Sequence, residues 1–213
     1  MTKAKEPPLG AAGFAELTGV SRETLARLEA YGELLRHWST AINLVGRDTL
    51  DDLWRRHFLD SAQLLEFVPP ETVSLVDLGS GAGFPGLVLA LLGVRGVELI
   101  EADSRKAAFL REAARITETR IELHAARIET VPARHSDVVT ARACAPLDRL
   151  LQLSQGFIGP NTRCLFLKGE RVEEELTAAR EAWTMTASCH RSRTDPRGVI
   201  LSLDRIAHEP RRG

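Results

Sequence analysis

The apolar positions change period along the chain. At Leu25, Leu28, Tyr31, Leu35, Trp38 and Ile42 they recur every three or four residues, the stripe of an amphipathic helix. Ser21 suits the N-cap of that helix, and Glu23 lies in its first turn, where a negative charge is favourable. A second helical stretch is expected from Thr49 to Phe67, with Thr49 as its cap, Asp51 and Asp52 near its positive end, and Pro69-Pro70 stopping it. Residues 1 to about 12 are polar, contain Pro7 and Pro8, and are expected to form a mobile tail.

From Val73 onward the apolar residues gather into short runs. Val73 to Leu78 (VSLVDL), Gly96 to Ala102, Arg120 to Ala125, Asp137 to Ala143 and Arg163 to Gly169 have the length and content of buried strands. Helical segments alternate with them: Pro85 to Leu92, Ser104 to Ile116, Pro146 to Leu153, and the charged stretch Glu170 to Ala182. Such alternation implies right-handed crossovers and a parallel sheet. Trp183 to His190 and Gly198 to Ile206 follow one another around Asp195-Pro-Arg-Gly198, which implies an antiparallel hairpin at one edge. The expected organisation is a tail and helical cap over residues 1–70 and an α/β domain with a seven-stranded sheet over residues 71–213.

Composition narrows the class. A length of 213 residues, 44% hydrophobic and 27% charged, suits one α/β domain with an extension. No apolar stretch reaches the length of a membrane span, and no signal-peptide pattern is present, so a cytoplasmic protein without membrane contact is expected. Net charge is −1, so no global basic field points to nucleic acid, although a local basic face can sit on a neutral protein. Cys144, Cys164 and Cys189 form no C-x-x-C pair, and no His, Cys or Asp cluster has metal-ligand spacing, so neither zinc nor a disulfide framework is expected.

The chain is densest in chemistry at Asp77 to Gly86 (DLGSGAGFPG), where four glycines fall within eight residues after a strand. Glycines there let the backbone turn sharply and approach a ligand, at the opening of a nucleotide-binding βαβ unit. Gly81-Ala-Gly83-Phe-Pro-Gly86 fits the dinucleotide pattern, which would imply NAD. The strand ends at Leu78, however, so the better frame is Asp77-x-Gly79-x-Gly81-x-Gly83. An acid two residues before the first glycine repels a pyrophosphate and suits a ligand with a cationic end. This pattern resembles the first motif of the class I methyltransferases, whose cofactor, S-adenosylmethionine, carries an ammonium and a sulfonium.

The strand ends supply the other candidates. Glu101 closes the second strand about where an acid binds ribose hydroxyls; a solvated acid is the plain alternative, and Asp103 could take its place. Ile128 and Glu129 follow the third strand, where they could border an adenine or merely connect. Arg142 ends the fourth strand and can pair bidentately with a carboxylate or phosphate; a buried salt bridge to Asp77 or Glu101 is the rival reading. Lys168 closes the fifth strand and could meet an RNA phosphate or simply snorkel. His57 could be a general base, but a hydrogen-bonded helix histidine is the plainer reading. Arg47, Arg55 and Arg56, and Arg191, Arg193, Arg197, Arg205, Arg211 and Arg212, are candidates for RNA contact or ordinary surface.

Taken together the chain resembles the RsmG (GidB) family of bacterial small-subunit ribosomal RNA methyltransferases. The resemblance runs from about Tyr31 to Ile206. It rests on Trp38 with Asn43-Leu44, His57-Phe-Leu-Asp60-Ser61, Asp77 to Gly86, Arg105-Lys106 with Phe109-Leu110-Arg111, Arg127-Ile-Glu129, Arg142-Ala-Cys-Ala-Pro-Leu147 and Leu167-Lys-Gly169. It implies a class I, Rossmann-like fold and methylation of guanine N7 in a loop of 16S rRNA, on the small ribosomal subunit. It also implies contact of Gly79, Phe84, Ile128, Glu129 and Arg142 with S-adenosylmethionine. Glu101 stands where the family more often has Asp, and either acid can bind the ribose. With Asp77 and Gly81 these residues form the expected cofactor set. Arg142 and Lys168 are the candidates for positioning the reactants, and Lys168, His57, Arg56 and Arg197 those for touching the substrate. No metal and a monomeric state are expected. Absences agree with N7 chemistry: Arg142-Ala-Cys-Ala-Pro146 lacks the N/D-P-P-aromatic motif of exocyclic-amine methylation, and Cys144 lacks the setting of a cytosine-C5 nucleophile. The rival readings are a NAD-dependent oxidoreductase, a non-catalytic RNA-binding or ribosome-assembly protein, and a small-molecule methyltransferase.

Overall fold

A computed structural model describes residues 7–209. Seven strands form one sheet in the order β3-β2-β1-β4-β5-β7-β6. They are β1 (Leu75–Leu78), β2 (Val97–Ile100), β3 (Glu122–His124), β4 (Val138–Arg142), β5 (Arg163–Lys168), β6 (Trp183–Arg191) and β7 (Val199–His208). Strands β1 to β5 are parallel, and β7 runs antiparallel to both β5 and β6. The expected parallel sheet with an edge hairpin is therefore present, its strands ending within a few residues of the apolar runs.

Alternation along each strand divides the core. Val76, Leu78, Ile100, Val139, Ala141 and Phe166 point to one face, where they meet α7 (Leu147–Ser154) and α8 (Val172–Ala179). Leu75, Leu99, Val138 and Leu165 point to the other, toward α5 (Gly86–Leu91) and α6 (Ser104–Ile116). That second face also takes α2 (Arg22–Trp38), capped as expected by Ser21, whose hydroxyl accepts from the Thr24 N–H. Leu28, Tyr31 and Leu35 of α2 are fully buried in it, each such side chain contributing about 1.5–3 kcal/mol. The N-terminal helices thus share one core with the sheet.

Three expectations are corrected. The tail of residues 1 to about 12 lies partly outside the described residues, but its described part is fastened. The Leu9 N–H donates to Asp52 Oδ1 at 2.9 Å, the Pro7 carbonyl accepts from Arg55, and α1 (Ala11–Thr18) buries Phe14. The stretch Thr49 to Phe67 is not one helix. It comprises α3 (Arg47–Leu50), a π-helical turn (Trp54–Leu59), α4 (Asp60–Ala62) and a 3-10 turn (Gln63–Glu66). Gly46, not Thr49, precedes α3, and Thr49 Oγ1 instead donates to the Gly46 carbonyl at 2.6 Å. Pro85 sits one residue before α5 rather than at its first position. Among the described residues no helix is long and apolar enough to cross a membrane.

Candidate functional site

The glycine turn leaves β1 over a buried carboxylate. Gly79 takes φ 64, and a Cβ there would lie 2.7 Å from Cys144 Sγ, so both backbone and neighbour demand glycine. At Gly86 a Cβ would stand 2.6 Å from Asp77 Cβ, so the start of α5 sits directly on Asp77. The Tyr31 hydroxyl donates to the Ala82 carbonyl, which ties α2 to the turn. Asp77 is fully buried; its Oδ1 accepts from Thr140 Oγ1 at 2.8 Å, and Oδ2 lies against Gly86 at the start of α5. Burial, only partly offset by hydrogen bonds, pushes its carboxyl up to about 6. Glu101 is also buried. Its two oxygens accept from the N–H groups of Gly81 and Asp103, each at 2.7 Å, bracing the turn against the start of α6.

Arg142 is held by the π-helical turn. The Asp60 N–H bonds the Arg55 and His57 carbonyls and passes over that of Arg56, which accepts from Arg142 Nη1 at 3.3 Å. The Asp60 carboxylate approaches the same nitrogen at 3.5 Å. The guanidinium lies 4.8 Å from the centre of the Phe84 ring, a cation–π contact. The salt bridge foreseen to Asp77 or Glu101 is thus made to Asp60.

His57 completes this set, and its tautomer follows from its partners. Arg142 Nη2 lies 2.9 Å from Nδ1, and an arginine can only donate, so Nδ1 accepts. Nε2 therefore carries the proton and donates to Thr49 Oγ1 at 2.7 Å. Burial, then the charges of Arg142 and Arg56, depress the imidazolium to about 3. The geometry is that of a hydrogen-bonded histidine whose basic nitrogen is occupied by Arg142.

These groups border a cleft of about 640 Å³. Gly79, Gly81, Phe84, Arg142, Lys168, His57 and Arg56 of the expected residues line it. Asp77 and Glu101 lie behind its wall, and Ile128 and Glu129 are outside its lining; Ile128 packs against the core, and Glu129 pairs with Arg149 at 2.5 Å. Arg197 is exposed beside the lining residue Gly198. Lys168 is largely buried and already paired, at 2.5 Å from Glu175 Oε2 and 3.0 Å from the Ala145 carbonyl. Arg56 pairs with Asp195 at 2.9 Å, and Arg193 with Glu66, so neither is a free cation. Arg211 and Arg212 lie outside the described residues. Burial raises the Cys144 thiol, as befits a small packed residue.

Sequence reasoning missed Asp60, Thr49, Asp195 and the wall formed by Leu44, Val45 and Gly46. The partners of Asp60 and Asp195 are distant in sequence, and only the five-residue offset between apolar pairs 53–54 and 58–59 hinted at a wide helical turn. Spacing also hid Glu98, Glu122 and His124, which the β2–β3 register brings together with ligand atoms within 4.8 Å of one another. Arg134 pairs with Glu98 there.

The family described as rRNA small subunit methyltransferase G matches residues 24–195. A Rhodospirillum centenum protein named ribosomal RNA small subunit methyltransferase G is 56% identical over 206 residues, covering 97% of this chain and 95% of its own. A protein of the same name from Rhodospirillum rubrum is 58% identical over 193 residues, 91% of this chain and 96% of its own. Among solved structures, a TehB-like SAM-dependent methyltransferase from Corynebacterium glutamicum aligns with a TM-score of 0.55 at 13% identity, over 84% of this chain and 98% of its own. A ribosomal protein L11 methylase from Lactobacillus delbrueckii gives 0.58 at 15% identity, over 70% and 77%. At such identity these two speak for the fold alone, a class I methyltransferase fold, whereas the extent and identity of the sequence matches place the chain in the rRNA small subunit methyltransferase G family.

Proposed function

We propose that this chain transfers a methyl group from S-adenosylmethionine to N7 of a guanine in a loop of 16S rRNA, in the cytoplasm and as a monomer. One observation carries the reading. A single cleft joins a glycine cradle, backed by a buried carboxylate, to an acceptor side that offers no base. The three acids lining the cleft each face a cation: Asp60 faces Arg142, Glu175 faces Lys168, and Asp195 faces Arg56. His57 is held neutral with its basic nitrogen occupied. Guanine N7 has an exposed lone pair and loses no proton, so it is the acceptor such a site suits.

The cofactor fits on this chain's own evidence. Asp77 places a fully buried carboxylate, whose burial its hydrogen bonds only partly offset, beneath the turn, and a cationic ligand above it offsets that cost. When bound, S-adenosylmethionine supplies the methyl group on its sulfonium. Gly79 and Gly81 give backbone access, and Glu101 braces that turn from behind the wall; the roles that the resemblance implies for Ile128 and Glu129 at the adenine would require them to reach the cleft from outside its lining. Arg142 and Phe84 line the join between the two halves of the cleft. The residues' task is to orient the reactants, a contribution that can reach roughly 7–11 kcal/mol. An unpaired guanine presents N7 better than one in the deep major groove of an A-form helix.

The test is methyl transfer from radiolabelled S-adenosylmethionine to small-subunit particles and to naked 16S rRNA, both from cells lacking the protein, with the modified nucleoside identified. N7-methylguanosine at one site is expected. Transfer to neither substrate overturns the proposal.

A further inference from the structure

The hydrogen-bond directions around Arg142 extend well beyond the groups that line the join. Asp60 Oδ1 accepts from Thr194 Oγ1 at 2.5 Å and from Gln63 Nε2 at 2.9 Å, while Oδ2 faces Arg142. Thr194 has one hydroxyl proton and spends it on a carboxylate that can only accept. The contact of Thr194 Oγ1 with Ser192 Oγ, 2.9 Å, must then be donated by Ser192. On the other side Arg142 donates to His57, His57 to Thr49, and Thr49 to the Gly46 carbonyl. One connected series, whose donors converge on Asp60 and diverge from Arg142, therefore joins the β6–β7 turn to the turn before α3. Ser192 and Gly46, at its two ends, both line the cleft.

Thr194 is the informative member. It is buried and does not line the cleft, so it touches neither reactant. Its hydroxyl nevertheless fixes the carboxylate that fixes Arg142. We propose that Thr194 is a positioning residue for methyl transfer, acting through Asp60 to hold the Arg142 guanidinium over Phe84. This rests on the reading of the cleft as an S-adenosylmethionine site. Without the hydroxyl, Asp60 keeps only Gln63 on Oδ1 and can rotate, and Arg142 loses a fixed counter-charge.

Thr194→Val removes the hydroxyl at nearly constant volume, and Thr194→Ser restores it. Calorimetry of the full chain with S-adenosylmethionine should show roughly three- to tenfold weaker binding for Val, the range for one link of a coupled network, and near-native binding for Ser. The KM for the cofactor should rise with it, with a smaller change in kcat. In both variants thermal unfolding should stay within a few degrees of wild type. Native binding by the Val variant, or equal weakening in both variants, overturns the proposal. The 15N shifts of the His57 ring give a readout that needs no cofactor. They should move in the Val variant and stay in the Ser variant, because Nδ1 reports the position of Arg142. If wild type binds no S-adenosylmethionine, the functional reading fails on its own, and unmoved His57 shifts in the Val variant would then refute the link as well.

Discussion

Acid should weaken this protein through His57. The folded chain holds the imidazole neutral, with its pKa lowered from 6.5 to about 3 by burial and by Arg142 and Arg56. The unfolded chain lets it titrate normally. A folded pKa below the unfolded one means that, for this base, the unfolded state takes up protons first as pH falls. The stability contribution is thus intact above 6.5 and is lost progressively toward 3. Between pH 7.5 and pH 5.0 the loss from this one residue is about 2 kcal/mol, at 1.36 kcal/mol per unit. Asp77 works the other way: its folded pKa is raised to about 6, so the folded state gains protons first between about 6 and 4 and recovers about 1.4 kcal/mol over the same range.

Comparing wild type with His57→Gln isolates the first effect, because Asp77 is present in both. Glutamine retains a donor and an acceptor and does not titrate. It should cost about 1–2 kcal/mol at pH 7.5 through poorer bonds to Arg142 and Thr49. By pH 5.0 that deficit should have vanished or reversed. The assay is urea unfolding of both proteins at pH 7.5, 6.5, 5.5 and 5.0, with thermal midpoints as a check; 2 kcal/mol corresponds to roughly 4–8 °C at this chain length. Parallel curves, with a deficit that stays constant over the whole range, would show that His57 titrates normally in the folded protein and would refute its depressed pKa.

The other predictions concern the cradle. Arg142→Ala should lower cofactor binding or turnover by more than about tenfold, read by calorimetry and by radiolabel transfer; unchanged activity would remove the basis of the proposed site. Cys144→Ala and His57→Ala should retain methyl transfer when folded, since no proton has to be moved. Asp77→Asn should lower affinity for S-adenosylmethionine by more than about tenfold without lowering the thermal midpoint at pH 7.5, because burying the charge already costs up to about 3 kcal/mol there. Gly79→Ala should destabilise by about 2–3 kcal/mol, from the positive φ and the Cys144 contact together. Adding Cys144→Ala should restore part of that loss, and a double-mutant cycle showing simple additivity would mean that the two residues do not meet.

How far the sequence could be read depends on the range of the forces involved. The central strands declared themselves because each is a mostly apolar run buried on both faces, as at Cys164 to Leu167, and that requirement is local. So did the glycine turn, because positive φ at Gly79 and the contact of Gly86 with Asp77 leave glycine as the residue that fits. The helix Ala11–Thr18 escaped because a single residue, Phe14, is buried on it, too few to mark a period. Arg56, Lys168 and Arg142 could be named as candidates, but their state could not. Whether a cation is free to meet RNA depends on Asp195, Glu175 and Asp60, which lie up to 139 residues away. The π-helical turn explains why so much of the site was hidden. A regular helix would give the Arg56 carbonyl to the Asp60 N–H and rotate Asp60 away from its present bearing. By widening one turn, the chain aims a carbonyl, an imidazole and a carboxylate from residues 56, 57 and 60 at a single guanidinium. No residue type demands that geometry, and its cause is the packing of Trp54, Phe58 and Leu59 into the shared core.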